Sequence, residues 1–200
     1  MNDERGTQVK RRLLLALLVA ATLSSAGAYA QTSRWSIDPA HSSANFEILH
    51  MGVSHVRGAL SSVKGIVTLD DADIAKSSVD ATIDTTTVST GVAMRDKDLK
   101  SSNFFDVEKY PSITFKSTSV TKAAGKLQLI GDLTLNGVTK SVALDLDGPA
   151  SPRTIQGKTI SAFSASGTIK RSDFNFGASK FNAVLGNDVK FTIDVEIDKL

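Results

Sequence analysis

After Trp35 the chain is built from short runs in which apolar and polar residues alternate, and this period of two restricts the fold more than any other feature. Ala44, Phe46 and Ile48 alternate with Ser43, Asn45 and Glu47. Val79, Ala81 and Ile83 alternate with Asp80, Thr82 and Asp84. Ile113 and Phe115, then Val142, Leu144 and Leu146, repeat the pattern. Phe163, Ala165, Gly167 and Ile169 follow it, and so do Phe191, Ile193, Val195 and Ile197. Ile66–Leu69 forms a shorter apolar run after Gly65, and Leu127, Leu129, Leu133 and Leu135 bracket a break at Ile130-Gly131. Successive strand residues point to opposite faces, so each run describes an antiparallel strand with one covered and one wet face. About eight such strands are expected, at the spacing of an up-and-down barrel or a sandwich. Asn136-Gly137 between two runs predicts a tight hairpin, because both residues tolerate positive φ. Gly65, Gly131 and Gly167 within strands predict bulges or sharp bends of the kind that closing a barrel needs.

Two segments break the pattern. The first, residues 89–110, contains MRDKDLKSSNFFD from Met94 to Asp106. A short helix over Thr90–Lys100, capped by Ser89 or Thr90, would put Val92, Arg95, Asp96 and Leu99 on an inward face. Met94, Lys97 and Asp98 would face outward. Inward charges need partners, since unpaired burial is expensive. Phe104 and Phe105 then plug downward, and Tyr110-Pro111 restores extended backbone. The segment reads either as a cap across a barrel rim or as a structural plug that touches no ligand. The second segment, residues 173–188 (DFNFGASKFNAVLGND), has three phenylalanines and no clean period. Irregular connections of that length usually have a function or cover an opening.

The N-terminus reads as a secretory leader. Lys10-Arg11-Arg12 precedes the apolar run Leu13–Leu23, and Ala28-Tyr29-Ala30 supplies a small-x-small cleavage pattern. The run is short for a membrane span. Cleavage after Ala30 would leave residues 31–200 as one domain that is not an integral membrane protein. The whole chain holds 23 basic and 21 acidic residues; residues 1–30 hold four basic and two acidic, so 19 of each remain and the exported part is neutral. With no basic run it is a poor nucleic-acid binder. There is no cysteine, which excludes disulfides, thiolate metal sites and thiol catalysis. An exported chain without disulfides suits a periplasm.

No nucleophile elbow, zinc-protease helix or phosphate loop is present. His41, His50 and His55 lack a short ligand spacing, so loop hydrogen bonding is expected rather than a metal site. No catalytic residue and no cofactor are assigned. Arg95 with Asp96, and Arg171 with Asp173, either hold a lipid head group at the rim or tie the cap to the strands.

The run Arg95-Asp96-x-x-Leu99-x-Ser101-x-x-Phe104-Phe105-Asp106-x-x-x-Tyr110-Pro111-x-Ile113-x-Phe115 resembles the signature of the YceI family of lipocalin-like, polyisoprenoid-binding proteins. So do Ile37-Asp38-x-x-His41-Ser42, Phe46-x-Ile48-x-His50, the run GDLTLNGVTK from Gly131 to Lys140, and Arg171-x-Asp173-Phe174. The similarity spans residues 35–198. One departure is Asp98, where the family pattern R-D-x-H-L has histidine. The resemblance implies an all-β fold: an eight-stranded antiparallel lipocalin-like barrel with a short capping helix and an elongated apolar lumen. It further implies a periplasmic location and a long isoprenoid or other lipid as the partner.

On that reading the lumen wall would include Phe46, Ile48, Val67, Ala81 and Ile83. Leu99, Phe104, Phe105, Ile113 and Phe115 would continue it, followed by Leu129, Leu133, Phe163, Ala165, Phe174, Phe191 and Ile193. His41, Arg95, Asp96, Arg171 and Asp173 would lie at the rim. Small residues such as Ala44, Ala81, Ala165 and Gly167 favour a hollow interior, although eight strands suit either a filled core or one slim ligand. Three functions remain open: a lipid carrier, an enzyme working at the polar rim, and a filled barrel that binds a protein partner. The chain would act as a monomer or homodimer.

Overall fold

The computed structural model describes residues 32–123, 125–177 and 179–200. The expected leader and its cleavage site lie outside them. Eleven antiparallel strands form among these residues: β1 (Thr32–Ile37), β2 (Ser43–His50), β3 (Ser54–Leu60), β4 (Val63–Asp70), β5 (Ser78–Asp84), β6 (Ser112–Ala123), β7 (Lys126–Leu135), β8 (Val138–Asp147), β9 (Arg153–Ile155), β10 (Lys158–Lys170) and β11 (Leu185–Lys199). One α-helix, α1 (Ala93–Lys100), interrupts them between β5 and β6. No described helix is long and apolar enough to cross a membrane.

Eight strands close a ring in the order β1-β4-β5-β6-β7-β8-β10-β11, with β11 pairing back to β1. The expected barrel is therefore present, but its membership differs from the expectation. β2, whose alternation is clear in sequence, is not a ring strand. It pairs with the first part of β11, through Asp194↔Ser43 and Leu185↔His50, and forms a hairpin with β3 outside the ring. β1 takes the ring position beside the last residues of β11, through Ile37↔Ile197 and Trp35↔Lys199. Long β11 thus serves two neighbours in turn. The β2–β3 hairpin meets the rest of the wall through Ala59, which exchanges backbone hydrogen bonds of 2.8 and 2.9 Å with Ser89.

The Asn136-Gly137 turn forms as expected, with φ of 52° and 74° and Leu135 opposite Val138. The expected break at Ile130-Gly131 does not occur, and β7 runs through it. The irregularity falls on the neighbouring strand, where one extra residue lies between Ser117 and Ser119 of β6, opposite Gly131 and Ile130. A bulge of this kind bends one strand and strengthens local twist, which helps the sheet close.

The buried residues divide into two regions. Trp35, Val67, Val195 and Ile197 make a solid core where β1 enters and β11 leaves. Val120, Leu129, Leu144 and Ala165 pack together on β6, β7, β8 and β10. Between these regions the inward side chains, including Leu129, Leu144, Ala165 and Val195 at its edges, surround empty space.

Candidate functional site

That space is a cavity of about 640 Å³. Its wall comes from the inward positions of alternating strands: Ala44, Phe46 and Ile48 on β2, Ala81 and Ile83 on β5, Ile113 and Phe115 on β6. Leu129 and Leu133 on β7, Phe163 and Ala165 on β10, and Phe191 and Ile193 on β11 complete it. Leu99, Phe104 and Phe105 cover it from α1 and the following loop. Of the lumen positions expected from sequence, Val67 and Phe174 do not reach the cavity, because both are consumed by packing in the surrounding core. Sequence reasoning missed Leu135, Val142, Leu144, Val189 and Val195, although each continues a period-two run, and also Phe176 and Phe181, which follow no period.

Three phenylalanine rings set the bore. Phe46 lies opposite Gly58 on β3, Phe191 opposite Gly167 on β10, and Phe115 diagonally beside Gly131 on β7. In each pair the outer end of the ring occupies the space a Cβ on the glycine would need. A Cβ at Gly167 would stand 2.9 Å from Phe191 Cζ, and one at Gly131 would stand 2.5 Å from Phe115 Cζ. Those distances are below any contact two carbons tolerate. The glycines therefore let large rings fold against the wall instead of projecting into the lumen.

Most of the polar lining lies where β2 ends and α1 crosses, at His50, Ser54, His55, Arg95 and Asp98; Asn45 and Arg171 also contribute. Ser54 and Asp98 are exposed, so this is where the cavity opens. The helix differs from the expectation in three ways. It begins at Ala93, not Thr90, and Val92 at its N-cap makes no side-chain cap. Val92 is 47% exposed and faces solvent. Asp98, placed outward by the helical wheel, contributes to the cavity mouth. A helix lying across an opening presents two flanks to it, so both Asp98 and Leu99 reach the rim.

Arg95 and Asp96 are tied to Thr90. The Asp96 carboxylate accepts the Thr90 N–H at 2.8 Å and the Thr90 hydroxyl at 2.5 Å. Arg95 donates from Nε to Thr90 Oγ1 at 2.7 Å and from Nη2 to the Thr90 carbonyl at 3.1 Å. An acidic group in the first turn also suits the helix dipole. These bonds fix the angle at which α1 lies over the mouth.

Arg171 does something different. Its side chain is buried, and all five of its N–H groups are used. Nε donates to Gly186 O at 3.0 Å, Nη1 to Phe176 O and Gly177 O at 3.2 and 2.6 Å, and Nη2 to Asn182 Oδ1 and Leu185 O at 2.7 and 3.4 Å. Burial pushes its pKa below the ordinary value. The expected pairing with Asp173 does not form; that residue is exposed. Arg171 thus gathers the second irregular segment into a loop at the mouth. Phe181 of this loop packs on Phe104 with centroids 4.9 Å apart, and Phe176 packs edge-on to Phe105 at 4.6 Å. Lys180 Nζ donates to Asn103 Oδ1 at 3.0 Å, so the two irregular segments hold one another.

His41 is not at this rim. Its Nδ1 lies 2.9 Å from Asp38 and 3.8 Å from Glu196. Glu196 is on β11 with Leu185, which lines the cavity, but eleven residues further along, on the order of 35 Å at 3.3 Å per residue. Asp38, His41 and Glu196 bring ligand atoms within 4.8 Å of one another. The Lys158 ammonium already stands 3.9 Å from Asp38. Hydrogen bonding and the Asp38 and Glu196 charges raise the His41 pKa above 6.5, and the same bond lowers that of Asp38 below 3.8. The raised histidine contributes stability that is complete below 6.5 and is lost as pH rises through its folded value. The depressed aspartate contributes above 3.8 and loses its share as pH falls through its folded value. Melting temperature should therefore decline slightly from about pH 6 to pH 8, and His41→Gln should remove that part of the slope. An unchanged slope in a calorimetric pH series would show that the pair carries no stability.

Residues 35–197 match the family model described as a YceI-like domain. Protein YceI of Escherichia coli O157:H7 is 41% identical over 167 residues, covering 82% of this chain and 87% of that protein. The Campylobacter jejuni YCEI protein has a similar structure, with a TM-score of 0.64 and 32% identity over 74% of this chain and 87% of that one. A polyisoprenoid binding domain from Saccharophagus degradans, implicated in plant cell wall breakdown, shares the fold at a TM-score of 0.63 and 15% identity, over 83% of this chain and 98% of that one. A closed eight-stranded ring around an apolar cavity, under a helix carrying the Arg95-Asp96 motif, accompanies that match along almost the whole described chain, and the protein belongs to the YceI-like domain family.

Proposed function

We propose that this protein is an exported, non-enzymatic carrier of one long, slim lipid chain, an isoprenoid or a similar apolar molecule, held in the barrel lumen. The observation that carries the reading is the cavity of about 640 Å³ whose wall is aliphatic and phenylalanine side chains, with polar groups gathered at one end. Burial of a hydrocarbon there would supply affinity at about 0.8 kcal/mol per CH₂. A slim chain matches a bore kept open by rings lying on glycines. The description of the Saccharophagus degradans domain as polyisoprenoid binding supports the same class of ligand. The leader expected over residues 1–30 supports a periplasmic site of action.

The mouth suits a polar head group on an otherwise apolar chain. Arg171 has no N–H left to offer, and Asp96 is committed to Thr90. His50, Ser54, His55, Asp98 and the N–H groups of Arg95 not bonded to Thr90 remain as hydrogen-bonding groups for a polar head. Native mass spectrometry of the protein taken from its own compartment, followed by solvent extraction, tests the proposal. A discrete added mass that extracts as lipid is expected. A protein that carries nothing, and takes up no added isoprenoid alcohol, would overturn it.

A further inference from the structure

The large apolar side chains left in solvent are unevenly placed. Val53 is 85% and Met94 84% exposed, and Met51, Leu49 and Val92 are exposed as well. Leu49, Met51 and Val53 form the tip of the β2–β3 hairpin, where Met51 and Gly52 turn with φ of 51° and 71°. Val92 and Met94 stand at the start of α1. Both tips border the cavity opening, since His50 and Ser54 of the hairpin and Arg95 and Asp98 of the helix line that mouth. Neither Leu49–Ser54 nor Gly91–Met94 contains a Lys, Arg, Asp or Glu.

From this arrangement we infer that the open end of the barrel docks on a lipid bilayer, inserting the two apolar tips, and exchanges its ligand there. The inference rests on the carrier reading and names the surface that a carrier would meet. Water-insoluble cargo is costly to move through solvent, and an opening ringed by exposed apolar side chains removes that step. Five separated side chains on two tips are too little for a stable dimer, which buries about 800 Å² per partner. They suit shallow interfacial insertion, which needs only a few anchors. The charges behind the tips agree. The helix carries Arg95, Lys97 and Lys100 against Asp96 and Asp98, and the facing loop adds Lys180, so basic residues outnumber carboxylates there. Anionic lipid head groups would complement that balance.

The test uses flotation of the purified protein with vesicles of phosphatidylethanolamine and phosphatidylglycerol, alongside binding of geranylgeraniol free in solution. The double variant Val53→Asp, Met94→Asp alters only exposed side chains. It should reduce vesicle binding about tenfold or more while leaving geranylgeraniol binding unchanged. Vesicle binding equal to that of the parent would overturn the docking surface. So would a parent that binds geranylgeraniol yet ignores vesicles, an outcome that leaves the carrier reading intact. A concentration-dependent dimer dissolved by the variant would assign the tips to a second copy and overturn the inference. Failure of both proteins to bind geranylgeraniol would instead count against the carrier reading, and flotation would still decide the docking.

Discussion

Arg171→Ala is expected to lower the melting temperature by roughly 10 °C, the largest effect of any single substitution proposed for this protein. The residue is 2% exposed, and its guanidinium holds four backbone carbonyls and the Asn182 amide oxygen. Hydrogen bonds to a charged group contribute about 1.5–3 kcal/mol each when separately removed, though not additively within one side chain. Removal strands acceptors that cannot all reach water and leaves a hole where a large side chain stood. A loss of about 3–5 kcal/mol follows, and a domain of this size changes melting temperature by about 2–4 °C per kcal/mol. Arg171→Lys should recover only part of it, because one ammonium has three donors and no planar fork. Scanning calorimetry of the three proteins decides the matter. If the alanine variant melted with the parent but lost its lipid, Arg171 would be a head-group ligand and the interpretation given to its five bonds would be wrong.

Gly167→Val should close the lumen without unfolding the barrel. The new Cβ would meet Phe191 Cζ at 2.9 Å and Leu144 Cδ2 at 3.3 Å, so the Phe191 ring must swing off the wall and into the cavity. Overpacking a filled core costs about 1–3 kcal/mol, but here the displaced ring has empty space to enter. Stability should therefore fall by no more than about 1 kcal/mol while geranylgeraniol affinity falls at least about tenfold. Adding Phe191→Leu to the valine variant should restore binding, because the shorter side chain no longer blocks the bore. The coupling between the two positions is read from the double-mutant cycle. Additive losses, or a valine variant that binds as the parent does, would show that the ring does not control access.

The alternation in sequence identified most of the cavity wall because side-chain direction in a strand depends only on parity. Phe46, Ala81, Phe115, Ala165 and Ile193 all point inward for that reason. Ring membership was less legible. β2 has the clearer pattern, yet β1 occupies the ring, since that choice depends on which segment pairs with the far end of β11. The face of α1 was misjudged at Val92 because the helix starts three residues later than expected, at Ala93, and leaves Val92 as its N-cap. Arg171 is legible as a rim or tie residue, but its partners could not be read: they are mostly backbone carbonyls, and a carbonyl leaves no trace in residue identity. The helical wheel turns Met94 outward, but the hairpin tip was hidden, because Met51 and Val53 look in sequence like ordinary core residues. Only the position of the opening gives them meaning.

The hairpin outside the ring separates two properties that barrels usually combine. A closed ladder has a fixed circumference, and widening it means breaking hydrogen bonds along a whole strand. β2 and β3 are joined to the rest along one side by β11 and on the other only by a short contact, in which Ala59 pairs with Ser89 and Ser61 with Thr87. Outward displacement of the hairpin would break those few hydrogen bonds and leave the ring ladder intact. Girth near the mouth is thus elastic and girth at depth is not. A cargo thick at one end and thin at the other can be admitted by a local opening rather than a global one.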